Sequence, residues 1–160
     1  MSRSDLEQPM RMNETEVATR LERLAERCRD AGLAVTPQRL AIYRALLRSE
    51  SHPDAEALYE AVRTEIPNLS LATVYKNLEA LQQLGIIREL TPLHETARFD
   101  ANLDHHHHLV CTACKAVLDL YDADLDGLQL PPTRLKGFKV SNIRVQVEGL
   151  CPECARKQRA

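Results

Sequence analysis

Two copies of a Cys-x-x-Cys pair, Cys111/Cys114 and Cys151/Cys154, constrain this chain more than any other feature in it. Each pair offers two thiolates from one tight turn, and four thiolates complete a tetrahedral zinc ion. The chain therefore has to fold back so that residues 111–114 meet residues 151–154. A zinc with four protein ligands is closed, hence structural rather than catalytic. Two redox dithiols or incidental buried thiols are the alternative, and two pairs of identical spacing in so short a chain are hard to reach by chance. Cys28 stands alone on a helix face and reads as a small core residue.

Ahead of the first pair, the chain reads as successive helices. Val17, Leu21, Leu24 and Cys28 recur at helical spacing, with Gly32 as a stop. Thr36 followed by Pro37 is an N-cap with proline at the first helical position, opening a helix that carries Leu40, Ile42, Tyr43, Leu46 and Leu47. His52-Pro53-Asp54 opens another, whose inward residues are Ala57, Leu58, Ala61 and Val62. Ser70 caps the sharpest helix, Leu71 to Leu84, with Val74, Leu78, Leu81 and Leu84 inward and Gly85 as its stop. Ile86 to Leu90 and Ala97 to Phe99 then read as two short strands around a turn containing Pro92 and His94. Helix, turn, helix and hairpin make a winged helix-turn-helix.

Character changes near Asp100. Leu109-Val110, Ala116 to Leu118 and the alternating Phe138, Val140, Ile143, Val145 and Val147 predict three strands, with a short acidic helix from about Asp122 to Leu130. The expected fold is α+β: a winged-helix DNA-binding domain over residues 1–93, a hinge over 94–102, and a small α/β dimerisation and zinc-binding domain over 103–160. A last segment of that size needs metal or a second subunit to hold a core.

The run His105-His106-His107-His108 leads into this second part. On a strand, His106 and His108 share one face while His105 and His107 share the other. Asp100 and Asp119 offer carboxylates to complete a mixed nitrogen and oxygen site, a donor set that suits Mn, Fe(II) or Zn. The alternative is a solvated histidine-rich loop that picks up metal adventitiously.

Charge gives no global argument for nucleic acid: 21 Lys and Arg stand against 23 Asp and Glu, a net charge of −2. Any such surface has to be local. The outward start of the Leu71 helix, Ala72, Thr73, Tyr75, Lys76 and Asn77, carries the small, hydroxyl, amide and basic groups that meet base edges and phosphates in a major groove. Arg39, Arg88 and Arg98 are further phosphate-contact candidates. No stretch approaches the roughly 20 apolar residues of a membrane span, and the polar first 15 residues lack a signal-peptide apolar region, so a cytoplasmic protein without membrane contact is expected.

Taken together, Thr36-Pro37-Gln38-Arg39, His52-Pro53, Ala72-Thr73-Val74-Tyr75, Arg98-Phe99-Asp100, His106-x-His108-x-x-Cys111-x-x-Cys114 and Cys151-x-x-Cys154 resemble the ferric uptake regulator family of bacterial metal-dependent repressors. The resemblance runs from about Glu16 to Lys157 and is most like the family's peroxide-sensing branch. It implies a homodimer on double-stranded operator DNA, structural Zn(II) on the four cysteines, and regulatory Fe(II) or Mn(II) on His52, Asp100, His106, His108 and Asp119. Asp at both carboxylate positions is the peroxide-sensing choice. The implied signal is Fe(II)-catalysed oxidation of His52 or His106 by peroxide, followed by release of DNA. A further family site would use His105, His107, a carboxylate near Asp126 and a histidine near Ser141, where this chain has Asn142.

The alternative within the class is a metal-uptake repressor that responds to Fe, Mn or Zn occupancy alone. A zinc enzyme is a different class, and its signatures are missing. A deaminase needs His-x-Glu ahead of Pro-Cys-x-x-Cys, whereas here the order is Cys151-Pro152-Glu153-Cys154. The His-Glu-x-x-His of zinc proteases is absent too, so no catalytic residues are expected. A zinc-ribbon interaction module without DNA binding is the third reading.

Overall fold

The computed structural model describes residues 12–49, 51–90 and 96–158. It forms two compact units, Met1–Leu103 and Asp104–Ala160.

The first unit is built from α1 (Glu14–Asp30), α2 (Pro37–Leu47), α3 (Ala55–Val62) and α4 (Leu71–Gln83), followed by β1 (Arg88–Leu90) and β2 (Arg98–Asp100). Every one of these helices starts on the cap its sequence offers. Asn13 and Glu16 form a reciprocal capping box on α1, while the Thr36, Asp54 and Ser70 side chains accept from the amides three residues on. Gly32 and Gly85 stop α1 and α4 with φ near +68° and +65°, a left-handed turn that suits glycine. Beyond Gly85 the Ile86 amide donates to the Leu81 carbonyl at 3.0 Å. That closure explains why β1 begins at Arg88 rather than at the expected Ile86: Ile86 and Ile87 are spent closing α4 and filling the core.

Leu24, Ile42, Tyr43, Leu58, Val74, Leu78 and Leu81 are the centre of one apolar cluster lying wholly within this unit. β1 and β2 pair antiparallel, with Arg88 opposite Asp100 and Leu90 opposite Arg98. Helices α1 to α4 followed by a two-stranded wing are the winged-helix arrangement expected. The expected hinge, 94–102, contributes β2 to the first unit because its backbone pairs with β1; the turn with Pro92 and His94 lies outside the described residues.

In the second unit, β3 (His107–Cys111) is the central strand between antiparallel β4 (Val117–Leu120) and parallel β5 (Gln146–Gly149). The expected third strand over 138–147 is displaced. β3 is five residues long and offers partners only from His108 opposite Gln146 to Cys111 opposite Gly149. Val145 still accepts the His108 amide at 3.0 Å, but residues before it lie beyond the start of β3, and a left-handed turn at Lys136 and Gly137 precedes an exposed Phe138. The acidic helix shortens to α5 (Ala123–Asp126), whose first amides are capped by Asp122. A one-turn 3-10 helix (Pro132–Arg134) and α6 (Pro152–Gln158) complete the unit; α6 went unforeseen, although Pro152 at its start is a recognisable signal.

Candidate metal centres

The second Cys-x-x-Cys pair meets the first because β5 runs parallel to β3 and delivers Cys151 to the end of that strand. The four sulfurs of Cys111, Cys114, Cys151 and Cys154 lie within 4.8 Å of one another. Cys114 Sγ and Cys151 Sγ are 3.8 Å apart, and none of the cysteines is in a disulfide. Sulfurs about 2.3 Å from a tetrahedral zinc stand about 3.8 Å from each other, the separation of the Cys114 and Cys151 sulfurs, and the other two lie close enough to join the same ion. Backbone amides serve the sulfurs: those of Cys151 and Cys114 approach Cys111 Sγ at 3.3 and 3.5 Å, and that of Cys154 approaches Cys151 Sγ at 3.4 Å. The Cys151 and Cys114 amides pull the Cys111 thiol down to about 6. The Cys151 and Cys114 sulfurs crowding Cys154 push its thiol up to about 12. Several thiolates share this volume stably only around a cation.

A second donor set in the same unit starts from the strand alternation of the histidine run. His106 and His108 fall on one face, and register places Asp119 of β4 opposite His108. Their Nε2 atoms are 3.1 Å apart, with Asp119 Oδ1 3.5 Å from His106 Nε2 and 4.0 Å from that of His108. His106 Nδ1 lies 2.8 Å from the Asp104 carbonyl. A carbonyl accepts only, so the ring proton sits on Nδ1 and the Nε2 lone pair is left for a ligand. Ligands cis to one another on a cation with bonds of about 2.1 Å stand about 3 Å apart, which is the imidazole separation found. Tyr121 adds a hydroxyl 3.4 Å from Asp119 Oδ2.

The first unit carries two further expected ligands. His52 precedes the α3 cap and Asp100 ends β2; both are buried, with His52 Nδ1 3.7 Å from Asp100 Oδ1. That same oxygen accepts the Asn102 amide at 2.7 Å.

His105, His107 and Asp126 form a third cluster, with both Nε2 atoms on one oxygen, Asp126 Oδ1, at 3.1 and 3.2 Å. Here the donors do not suit a cation. His107 Nδ1 accepts the Val145 amide at 3.0 Å, which places the neutral ring's proton on Nε2, the nitrogen a metal would need. His105 and Asp126 alone are two exposed donors.

On α4, Ala72, Tyr75 and Lys76 are accessible at the outer side and Thr73 is half-buried, bonded to the Ser70 cap. Asn77 corrects the expectation of an outward amide: it is 7% exposed and its NH2 donates to the Thr73 carbonyl at 2.9 Å. Helical rotation carries position 77 onto the Val74 and Leu78 face. Each of the candidate arginines commits one nitrogen to a backbone carbonyl. Arg39 is half-buried and donates to the Ala34 carbonyl, Arg88 donates to the Leu103 carbonyl, and Arg98 donates to the His52 carbonyl at 3.1 Å.

A winged helix followed by a small sheet with thiolate and imidazole-carboxylate donor sets defines a metal-dependent regulator. The chain belongs to the ferric uptake regulator family, whose sequence pattern matches residues 30–148. The peroxide-responsive repressor PerR of Staphylococcus epidermidis is 38% identical over 134 residues, covering 84% of this chain and 89% of that protein. Among solved structures, the Campylobacter jejuni peroxide stress regulator superposes with a TM-score of 0.62 at 34% identity, covering 84% of this chain and 98% of that one. The Helicobacter pylori ferric uptake regulator, described as having three functional metal-binding sites, superposes with a TM-score of 0.75 at 25% identity, covering 87% and 93%. The fold and the two kinds of metal-capable site expected from sequence are thereby shown. Among the described residues, no helix is long and apolar enough to cross a membrane.

Proposed function

We propose that this chain is a DNA-binding repressor in which one regulatory cation, Fe(II) or Mn(II), is held jointly by His52 and Asp100 of the winged-helix unit and by His106, His108 and Asp119 of the sheet unit. The observation that carries this reading is the division of the donors. Two belong to the unit that reads DNA and three to the other, and neither set fills a coordination sphere by itself. Binding a cation to both sets ties the units together and favours the arrangement competent for DNA. Ala72, Thr73, Tyr75 and Lys76 of α4 then enter the major groove. Structural Zn(II) sits on Cys111, Cys114, Cys151 and Cys154.

A second copy of the chain completes the repressor. Register aligns Leu109 of β3 with Leu118 of β4 and Val147 of β5, an apolar row across the sheet whose members are all exposed in one chain. Such a row is the kind of surface a homodimer covers, and two wings spaced by a dimer read a palindromic operator.

Fe(II), when bound, supplies the reduction of hydrogen peroxide that adds one oxygen to His52 or His106. Loss of either imidazole removes a nitrogen donor and releases the regulator from DNA. Mn(II) does not support this chemistry readily, so manganese-loaded protein represses without answering peroxide. The closed thiolate site is structural and not the sensor. Mass spectrometry after iron loading and peroxide exposure tests the proposal: a gain of one oxygen on His52 or His106, together with DNA release at constant metal, is expected. Oxidation confined to cysteines would point to a thiol switch instead, and an unmodified protein that releases DNA only on metal withdrawal would identify the occupancy-only repressor.

A further inference from the structure

The residues of β2 do more than pair with β1. Phe99 donates its amide to the Pro53 carbonyl at 3.0 Å, and Arg98 extends its guanidinium to the His52 carbonyl at 3.1 Å. Two adjacent residues of one strand thus grip two adjacent carbonyls of the segment that leads into α3, 46 residues earlier in the chain. The next residue on the strand is Asp100, and the first residue of the gripped segment is His52. The clamp therefore sits where both regulatory donors of the winged-helix unit leave the backbone.

We infer that Arg98 is a positioning residue for the regulatory metal, fixing the His52 backbone against β2 so that His52 and Asp100 are presented together before the cation arrives. The inference rests on the ligand set proposed above. A guanidinium suits this task because its planar fork holds a fixed geometry once one nitrogen is engaged. Arg98 is half-buried and its Nη1 is committed to a carbonyl, and the phosphate contact its charge suggests in the sequence is the competing role the test separates. Without the clamp, the 52–54 segment has to be ordered when metal binds, and that ordering lowers affinity. Partners one step removed from a metal typically weaken binding about 10- to 100-fold when removed.

The test uses full-length, zinc-loaded protein and reads Mn(II) affinity from the free Mn(II) signal in electron paramagnetic resonance. R98Q should weaken Mn(II) about tenfold or more, while its manganese-free melting temperature, zinc content and DNA affinity at saturating Mn(II) stay at wild-type values. R98K, whose ammonium can reach the same carbonyl, should recover most of the Mn(II) affinity. If R98Q binds Mn(II) normally but loses DNA affinity at saturating metal, Arg98 is a phosphate ligand and the inference falls. Should R98Q fail to fold, R98A decides: a loss of about tenfold in Mn(II) affinity in a normally melting protein supports the clamp, and affinity within about threefold of wild type overturns it. H52A separates the two levels of the argument. If H52A leaves Mn(II) affinity unchanged, the ligand set itself is wrong; if H52A abolishes binding while R98Q does not weaken it, only the clamp is wrong.

Discussion

Removing zinc from the four-cysteine site should unfold the sheet unit and spare the winged-helix unit. Between residues 104 and 158 the buried apolar side chains are Val110, Cys111 and Val117, and all four residues of β5 are exposed. Burying a valine contributes about 1.5–3 kcal/mol, so this core supplies only a few kcal/mol. A structural zinc contributes about 10–16 kcal/mol in small zinc-binding peptides near neutral pH, and that contribution dominates here. The first unit has its own apolar cluster from Val17 to Ala101, to which no residue of the sheet belongs. Stripping zinc with a chelator, or substituting Cys151→Ser, should therefore abolish slow amide exchange in β3, β4 and β5 while leaving α2 and α4 protected. Hydrogen exchange read by NMR at dilute protein concentration follows both units in one sample. Full protection of β3 and β4 in verified zinc-free protein would refute the reasoning, because it would mean the sheet holds itself together without the cation.

Three further outcomes follow from side chains placed above. Lys76→Ala should weaken DNA binding and flatten the salt dependence by about 0.9 in log-log slope for each phosphate no longer neutralised, whereas Asn77→Ala should leave that slope alone and cost about 1 kcal/mol of stability by urea titration; the reverse pattern would put Asn77 at the DNA. Burial raises the Tyr43 phenol above its usual range against the opposing pull of Arg20. The folded state then holds that proton more tightly than the unfolded one, so its contribution is complete below pH of about 10 and declines as pH climbs through the folded value; urea midpoints between pH 8 and 11 should fall less in Tyr43→Phe than in wild type. Finally, metal analysis of protein equilibrated with excess Mn(II) and Zn(II), then dialysed, should give the same content for wild type and for the His105→Ala, Asp126→Asn double variant. A missing equivalent in the double variant would show that the third cluster holds metal despite the proton on His107 Nε2.

Local chemistry was legible where it is self-contained. Caps at Thr36, Asp54 and Ser70, stops at Gly32 and Gly85, and the inward faces of α1 and α4 all depend on residues within one or two turns, and sequence displays them directly. The misread elements depend on partners distant in the chain. Alternation at 138–147 looks like a strand, but a strand needs an edge to pair with, and in the parallel register β3 begins too late to supply one for residues before 145. The charge of Arg88 and Arg98 is likewise visible in sequence, while the carbonyls of Leu103 and His52 that each engages with one nitrogen are not.

The sequence by itself determined which atoms are available: four thiols in two turns, imidazoles alternating along a strand, carboxylates at 100 and 119, and a helix whose start is polar on one side. Tertiary structure alone decided how those atoms are used. It turned the His106 ring by a hydrogen bond to the Asp104 carbonyl so that Nε2 faces His108, and turned His107 by the Val145 amide so that its proton occupies the corresponding nitrogen. Adjacent residues of the same type thereby carry their lone pairs on opposite ring nitrogens. An imidazole has one proton to place between two nitrogens, and the choice belongs to whichever backbone group folding brings alongside.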